Sequence, residues 1–411
     1  MKIQKTIPPA AAPVYWKDLL RGLSCAFNGQ RLLARLESEI QEYFGVRHVF
    51  LVTSGKEALT LILMGLKDIS PRKEVIIPAY TCYSVPSAVL KAGLQLSLCD
   101  IETTTFDFDY PSLERMVNKN TLCVVPCHLF GIASDMDLIE SICREREIFV
   151  VEDAAQAMGG TFKNQRLGTI GDVGLFSLGR GKNLTSGSGG IIVTNSDPIA
   201  EAIRQHYSKL NYPGRWETLA EWLRLSLMAV FIAPALYWLP TGLPFLKLGE
   251  TFFYKDFPMR KLAGMQAAVL HDWKKKLDQF NNNRTSNGAY FEEQFGLSRS
   301  SGREASIPYL RFPFLASSRQ ERDRIYALSK QRGFGISLMY PKAINQIEEL
   351  KAEFKGKEFP AAEKVADRLL ALPTHPYVST KDREALGTLF VGLDHFELSS
   401  EQESSLRQTC R

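Results

Sequence analysis

Short apolar runs separated by amphipathic stretches set the plan of this chain. Strand-like runs rich in Val, Ile, Leu and Phe fall at residues 48–53, 75–77, 94–99, 121–126, 148–152, 173–177 and 190–194. Helical spacing of apolar positions occupies the intervals near 56–67, 83–92, 111–118, 135–146 and 197–210. Strands that alternate with helices in this way predict an α/β fold, with a mostly parallel seven-stranded sheet and helices on both faces. The last two strand runs are too close for a helix between them and are expected to join directly. A long helix over 262–280 is expected to lead into a smaller α+β part. The reading divides the chain into an N-terminal arm (1–30), a large domain (31–284) and a small C-terminal domain (285–411). Pro8, Pro9 and Pro13 give the arm an extended character, and it is expected to wrap onto the smaller domain or a neighbouring subunit.

One segment, within 222–248, breaks the rhythm. From Leu225 to Leu246 there is no charged residue, and Arg224 and Lys247 flank it. Its length alone would suit a membrane span. A single crossing is not expected, because the elements before and after it must belong to one folded site, and because Pro234, Pro240 and Pro244 interrupt a continuous helix. Three readings stay open: a buried helical hairpin or dimer-interface insert, a surface loop touching the membrane interface through Trp222, Tyr237 and Trp238, and a hydrophobic lid over the substrate.

Composition narrows the class. The 411 residues are 45% hydrophobic and 23% charged, enough for a large core, and the formal net charge of +5 is spread along the chain. No basic run is interleaved with aromatics, so nucleic-acid binding is not indicated. Seven cysteines, at 25, 82, 99, 123, 127, 143 and 410, form neither a paired framework nor a metal-ligand spacing. With no secretory apolar stretch after Met1-Lys-Ile-Gln-Lys5, they point to a reducing cytoplasm, with membrane association through 225–246 as the variant.

The chemistry concentrates in two segments. Phe149-Val-Val-Glu-Asp153 is an apolar strand ending in a carboxylate, and Lys182 lies in a Gly/Ser-rich loop after the short strand Val173 to Phe176. Pyridoxal 5′-phosphate (PLP) needs an amine that forms a Schiff base with its aldehyde and an anion that keeps its ring nitrogen protonated. Lys182 supplies the first, and Asp153, at a strand's carboxyl end where open α/β sheets bind ligands, supplies the second. Thr53-Ser-Gly-Lys-Glu-Ala-Leu59 follows a strand and opens a helix, so its N–H groups and the Ser54 hydroxyl form a candidate phosphate cradle, to which Ser177 adds a hydroxyl. Alone, Asp153 would read as a helix cap and Lys182 as a solvated loop residue. His128 reads as a packing group at a strand end.

These segments, in this order, resemble the DegT/DnrJ/EryC1/StrS family of fold-type I PLP-dependent aminotransferases. The resemblance also rests on Val75-Ile-Ile-Pro-Ala-Tyr-Thr81, His128-Leu-Phe-Gly131, Glu152-Asp-Ala-Ala-Gln156, Lys182-Asn-Leu184, Gln266-Ala-Ala268 and Leu372-Pro-Thr-His-Pro376. It implies that Lys182 carries the cofactor, that Asp153 pairs with the ring nitrogen, that Gln156 lies near the ring hydroxyl, and that Ser54, Gly55, Lys56 and Ser177 surround the phosphate. Family dehydratases carry histidine at the lysine position, so Lys182 favours transamination. The chain also departs from the family pattern. The ring-stacking position, often aromatic, is Cys82 with Tyr83 next, and Met158 and Ser188 replace a usual histidine and acid. Met259-Arg-Lys-Leu262 lacks the asparagine that reaches a neighbouring subunit's phosphate.

The resemblance implies a PLP-dependent aminotransferase that moves an amino group from an amino acid, expected to be glutamate, to a nucleotide-linked keto sugar in cell-surface polysaccharide or related biosynthesis. It implies a homodimer. Two alternatives stay open: dehydration or epimerisation of a sugar or lipid-linked precursor, and a non-catalytic PLP-binding regulator.

Overall fold

The computed structural model describes residues 4–24, 29–246, 251–297 and 307–390. Strands β1 (His48–Val52), β2 (Glu74–Pro78), β3 (Gln95–Cys99), β4 (Thr121–Val124), β5 (Phe149–Asp153), β6 (Val173–Ser177) and β7 (Gly190–Thr194) form one sheet in the order β1-β7-β6-β5-β4-β2-β3. The strand-like runs read from the sequence coincide with these elements to within a residue or two. β7 is antiparallel to both β1 and β6, and the other neighbours are parallel. Because β7 reverses direction, β6 reaches it through a loop rather than a crossover helix, and that loop carries Lys182. The carboxyl ends of β1, β5 and β6 consequently share one edge of the sheet.

The helices are amphipathic for the reason their spacing implied. The helix Gly55–Ile69 begins at Ser54, whose hydroxyl accepts the Glu57 N–H at 3.2 Å, and it buries Ala58, Leu59, Leu61, Ile62, Leu63 and Leu66. It packs on the helix Asp197–Tyr207, where a Cβ on Gly65 would come within 3.0 Å of Ile203. The apolar side chains on the sheet's faces are almost completely excluded from solvent, including Val52, Ile76, Val124 and Val151 at 0% exposure.

Beyond the sheet, β8 (Arg311–Leu315) and β9 (Leu369–Pro373) form an antiparallel pair, accompanied by the helices Arg319–Arg332, Pro360–Arg368 and Thr380–Gly387. The N-terminal arm lies on this part. The Ile7 N–H donates to Gly333 O at 2.8 Å, Lys5 pairs with Asp382 at 2.6 Å, and His375 Nε2 meets Pro8 O at 2.7 Å. His375 is fully buried, and burial pushes its pKa down to about 3, so it serves the arm as a neutral donor.

Two expectations need correction. The helix expected over 262–280 is two helices, Gly264–Val269 and Trp273–Phe295. Asp272, at φ 57°, takes the left-handed conformation that turns the chain between them, a state aspartate tolerates better than most residues. The apolar segment is not a hairpin buried within this chain. It belongs to the helix Arg215–Phe231, a short helix Trp238–Thr241 and a 3₁₀ turn Pro244–Leu246, and only its Leu225 is buried among the described residues. No helix among the described residues is long and apolar enough to cross a membrane.

Candidate active site

The sheet's ligand-binding edge brings Asp153 and Lys182 together from different elements. Asp153 ends β5 opposite Leu175 of β6, and its backbone is locked between Pro126 O (2.9 Å) and the His128 N–H (3.1 Å). One carboxylate oxygen accepts the Ala155 N–H at 3.0 Å, and the other lies 3.8 Å from Cys127 Sγ. Burial raises the Asp153 pKa, partly offset by the Lys182 ammonium. Burial likewise lowers the Lys182 pKa, partly offset by Cys82 and Asp153. Desolvation thus outweighs mutual attraction for both groups, so each is primed for a partner of opposite charge or for neutrality.

The neighbouring Glu152 points to the other side of the sheet, as strand alternation requires. Its buried carboxylate accepts N–H groups of Gly168, Ile170 and Gly171 at 2.8, 2.6 and 2.7 Å. His128 Nδ1 accepts the Ser134 N–H at 3.1 Å, which leaves Nε2–H to donate to Glu152 at 3.0 Å. His128 is therefore fully engaged in holding the strand end that carries Asp153.

At the carboxyl end of β1, the first turn of the helix Gly55–Ile69 abuts the lysine loop. A Cβ on Gly190 would come within 2.2 Å of Ser54 O, and one on Gly55 within 3.0 Å of Ser177 Cβ. Glycine at both positions keeps an open cradle between a helix N-terminus and the Ser177 hydroxyl, which fits a phosphate dianion. Ser54 Oγ, however, already caps the helix and donates to Glu57 Oε1 at 3.0 Å. The Lys56 ammonium sits over the Phe257 ring at 4.0 Å.

A cavity of about 210 Å³ opens beside Lys182, lined also by Cys82, Arg180, Leu310, Arg311 and Tyr340. Cys82, not Tyr83, faces it. The Tyr83 hydroxyl is held by the Lys342 backbone, donating to its carbonyl and accepting its N–H, both at 3.1 Å, and burial pushes its pKa up to about 12. The Gln156 amide is also committed, accepting the Phe130 N–H and donating to Tyr340 Oη, both at 3.1 Å. The residues fit PLP: a half-buried amine and carboxylate that sense each other's charge, a glycine-lined anion cradle, and a small thiol in the cavity wall.

Sequence reasoning missed three residues. Arg284, fully buried on the helix Trp273–Phe295, donates to the carbonyls of Lys182, Asn183 and Ala11 at 3.1, 3.1 and 2.9 Å, clamping the lysine loop to the N-terminal arm. Burial lowers its pKa to about 9. Arg311 and Tyr340 line the cavity from segments far along the chain. An arginine within an otherwise polar helix run carries no local signal of burial. Arg311 opens a strand pattern where a basic residue reads as an edge.

Five cysteines, Cys82, Cys99, Cys123, Cys127 and Cys143, are free thiols, while Cys25 and Cys410 lie outside the described residues. Among the described residues no cluster of metal-ligating side chains occurs.

Residues 21–230 and 245–389 match the model of the DegT/DnrJ/EryC1/StrS aminotransferase family, which leaves out part of the apolar insert. The pleiotropic regulatory protein of Geobacillus stearothermophilus is 27% identical over 85% of this chain and 86% of its own length. The UDP-N-acetyl-3-dehydro-alpha-D-glucosamine 3-aminotransferase of Acidithiobacillus ferrooxidans is 26% identical over 86% of each. Among solved structures, Spr1654 of Streptococcus pneumoniae in its PLP-form superposes with a TM-score of 0.76 at 20% identity, covering 93% of this chain and 98% of that one.

Proposed function

We propose, from the premise that this chain belongs to the DegT/DnrJ/EryC1/StrS aminotransferase family, that it is a PLP-dependent aminotransferase passing nitrogen from an amino acid to a nucleotide-linked keto sugar in polysaccharide biosynthesis. The acceptor class follows relatives such as the UDP-sugar 3-aminotransferase. The observation that carries the reading is geometric: the sheet brings Asp153, at the end of β5, and Lys182, in the β6–β7 loop beside the cavity, to one edge, close enough that each favours the other's charge.

In this reading Lys182 holds the cofactor and, once released by the incoming amine, moves the proton between the donor's α-carbon and the cofactor. PLP supplies an aldehyde for amine capture and a protonated ring that accepts electrons. Asp153 would supply the anion that keeps such a ring protonated, and Cys82, in the cavity wall, would leave room for it. Gly55, Lys56 and Ser177, with Ser54 as the cap that shapes them, take the phosphate. Gln156, hydrogen-bonded to Tyr340, would stand near the ring hydroxyl, and Arg284 fixes the lysine loop.

The direct test adds glutamate alone to the cofactor-loaded chain. One equivalent of 2-oxoglutarate per site should appear without any acceptor. Absence of keto-acid release from glutamate and from every other common amino donor would refute transamination.

The apolar insert supports a subunit interface. The helix Arg215–Phe231 packs Leu225 and Trp222 against Val14, Met265 and Val269, yet also turns Trp216 (81% exposed), Leu223 and Leu227 (58% exposed) outward. Trp16, Leu20 and Leu23 extend the same face from the helix Trp16–Ser24. An apolar face of this kind marks a contact surface, and in this family we assign it to a second copy of the chain in the cytoplasm. The purified chain should sediment as a dimer, and Leu223→Asp with Leu227→Asp should yield monomers. A wild-type monomer at all concentrations would reject this, and flotation with anionic liposomes would then favour the lipid-surface alternative.

A further inference from the structure

The cavity beside Lys182 is lined by three basic residues, Arg180, Lys182 and Arg311, and by no acidic one. Arg311 is the notable member. Its Nε donates to Pro9 O at 3.3 Å, and its Nη1 faces Met339 Sδ at 3.0 Å, a weak acceptor. No carboxylate lies within ion-pair distance of it among the described residues. Its charged neighbours in the folded chain are themselves cations, Lys182 and Arg284. Tyr340, Tyr237 and Cys82, the other groups it senses, are neutral when protonated.

Arg311 is half-buried in the cavity wall, and a guanidinium partly withdrawn from water without a counter-ion is unfavourable unless an anion completes the site. The nearest internal partner, a thioether, does not use the planar fork that makes arginine suited to carboxylates. Burial lowers the pKa of Arg311, which matches a cation still lacking its partner. The cofactor phosphate has its own cradle at Ser54, Gly55 and Ser177, on the helix N-terminus rather than on β8.

We propose that Arg311 is the receptor for the α-carboxylate of the amino donor, placing the donor's amine beside Lys182 and restricting this half-reaction to α-amino acids. The inference deepens the transaminase reading and rests on it. Arg311 acts here as a specificity-determining residue that touches substrate. Met339 and the Pro9 carbonyl orient its guanidinium. The N-terminal arm, through Pro9, thereby forms part of donor recognition.

The experiment compares wild type, Arg311→Met and Arg311→Lys in the cofactor-loaded form. Equal intensity of the lysine-bound cofactor band in all three shows an assembled site. Titration calorimetry with glutarate, which has carboxylates but no amine to react, should show binding weakened roughly 30-fold or more in Arg311→Met, the size expected for losing a charge-assisted pair. Arg311→Lys should fall between, and it keeps the test decisive if the methionine variant does not fold. Single-turnover rates then compare L-glutamate with 4-aminobutanoate, which lacks the α-carboxylate. Arg311→Met should slow glutamate about 100-fold and 4-aminobutanoate less than about 3-fold. Unchanged glutarate binding, equal slowing of both amines, or a defect confined to the sugar acceptor's half-reaction would each overturn the proposal. Failure of wild type itself to release keto acid from glutamate would instead reject the transaminase reading beneath it.

Discussion

Replacing Lys182 by alanine is expected to remove the absorbance band of lysine-bound cofactor and to reduce amino transfer by at least about 10,000-fold. The size follows from two losses at one atom. On the proposed reading the ε-amine is both the covalent anchor and the group that moves the proton once the donor has displaced it. Among the described residues no other amine lines the cavity beside it. Burial lowers the Lys182 pKa, so more of the amine is neutral near physiological pH than in an exposed lysine. Cofactor capture by the cofactor-free chain should therefore rise with pH and level off below the ordinary lysine value, because only the unprotonated amine attacks an aldehyde. Absorbance spectroscopy and a keto-acid assay read both effects. Full transaminase activity in Lys182→Ala would remove the assignment altogether.

The second large effect belongs to Asp153→Asn. Amino transfer should fall about 100- to 1,000-fold, the range seen when one preorganised electrostatic partner is removed from a desolvated site. The fold should survive, because asparagine has nearly the same shape and can still accept the Ala155 N–H. The charge itself costs stability in the cofactor-free chain. Burial raises the Asp153 pKa, so the folded state holds this proton more tightly than the unfolded state does. That contribution to stability is complete below the unfolded-state value and is lost as pH rises through the raised one. At neutral pH the cofactor-free variant should consequently melt no lower than wild type, while its cofactor dissociates faster. Wild-type turnover in Asp153→Asn, measured with saturating PLP, would show that the ring nitrogen finds its anion elsewhere.

The behaviour of particular residues explains what could be read early. Asp153 was legible because a carboxylate closing the run Phe149–Val151 stands at a strand's carboxyl end, and the sheet places such ends along one edge. Lys182 was legible because a strand, a glycine-rich loop and another strand left it no helix to join. Ser54 and Lys56 stand at the helix start, as the pattern implied, but what their side chains meet was not legible. The Ser54 hydroxyl is taken by its own cap, and the Lys56 ammonium by Phe257, which is 201 positions away. The choice between Cys82 and Tyr83 turned on Lys342, whose backbone holds the tyrosine hydroxyl away from the cavity. The break at Asp272 was invisible because a left-handed residue within an apolar period leaves that period almost intact.

By itself, then, the order of residues determined the strand and helix succession, and the placing of an amine and a carboxylate at one edge of the sheet. Each of these depends on side-chain period and on position relative to a strand end, which are properties of neighbours in the chain. Only the tertiary structure decided that Arg284 clamps the lysine loop, that Arg311 and Tyr340 wall the cavity, that Pro9 joins them, and that the segment after Leu225 turns apolar groups outward. Those outcomes depend on which distant surfaces meet when crossovers pack against the sheet. The energy of such meetings is set by burial and by hydrogen-bond partners hundreds of positions away, and no local pattern encodes it.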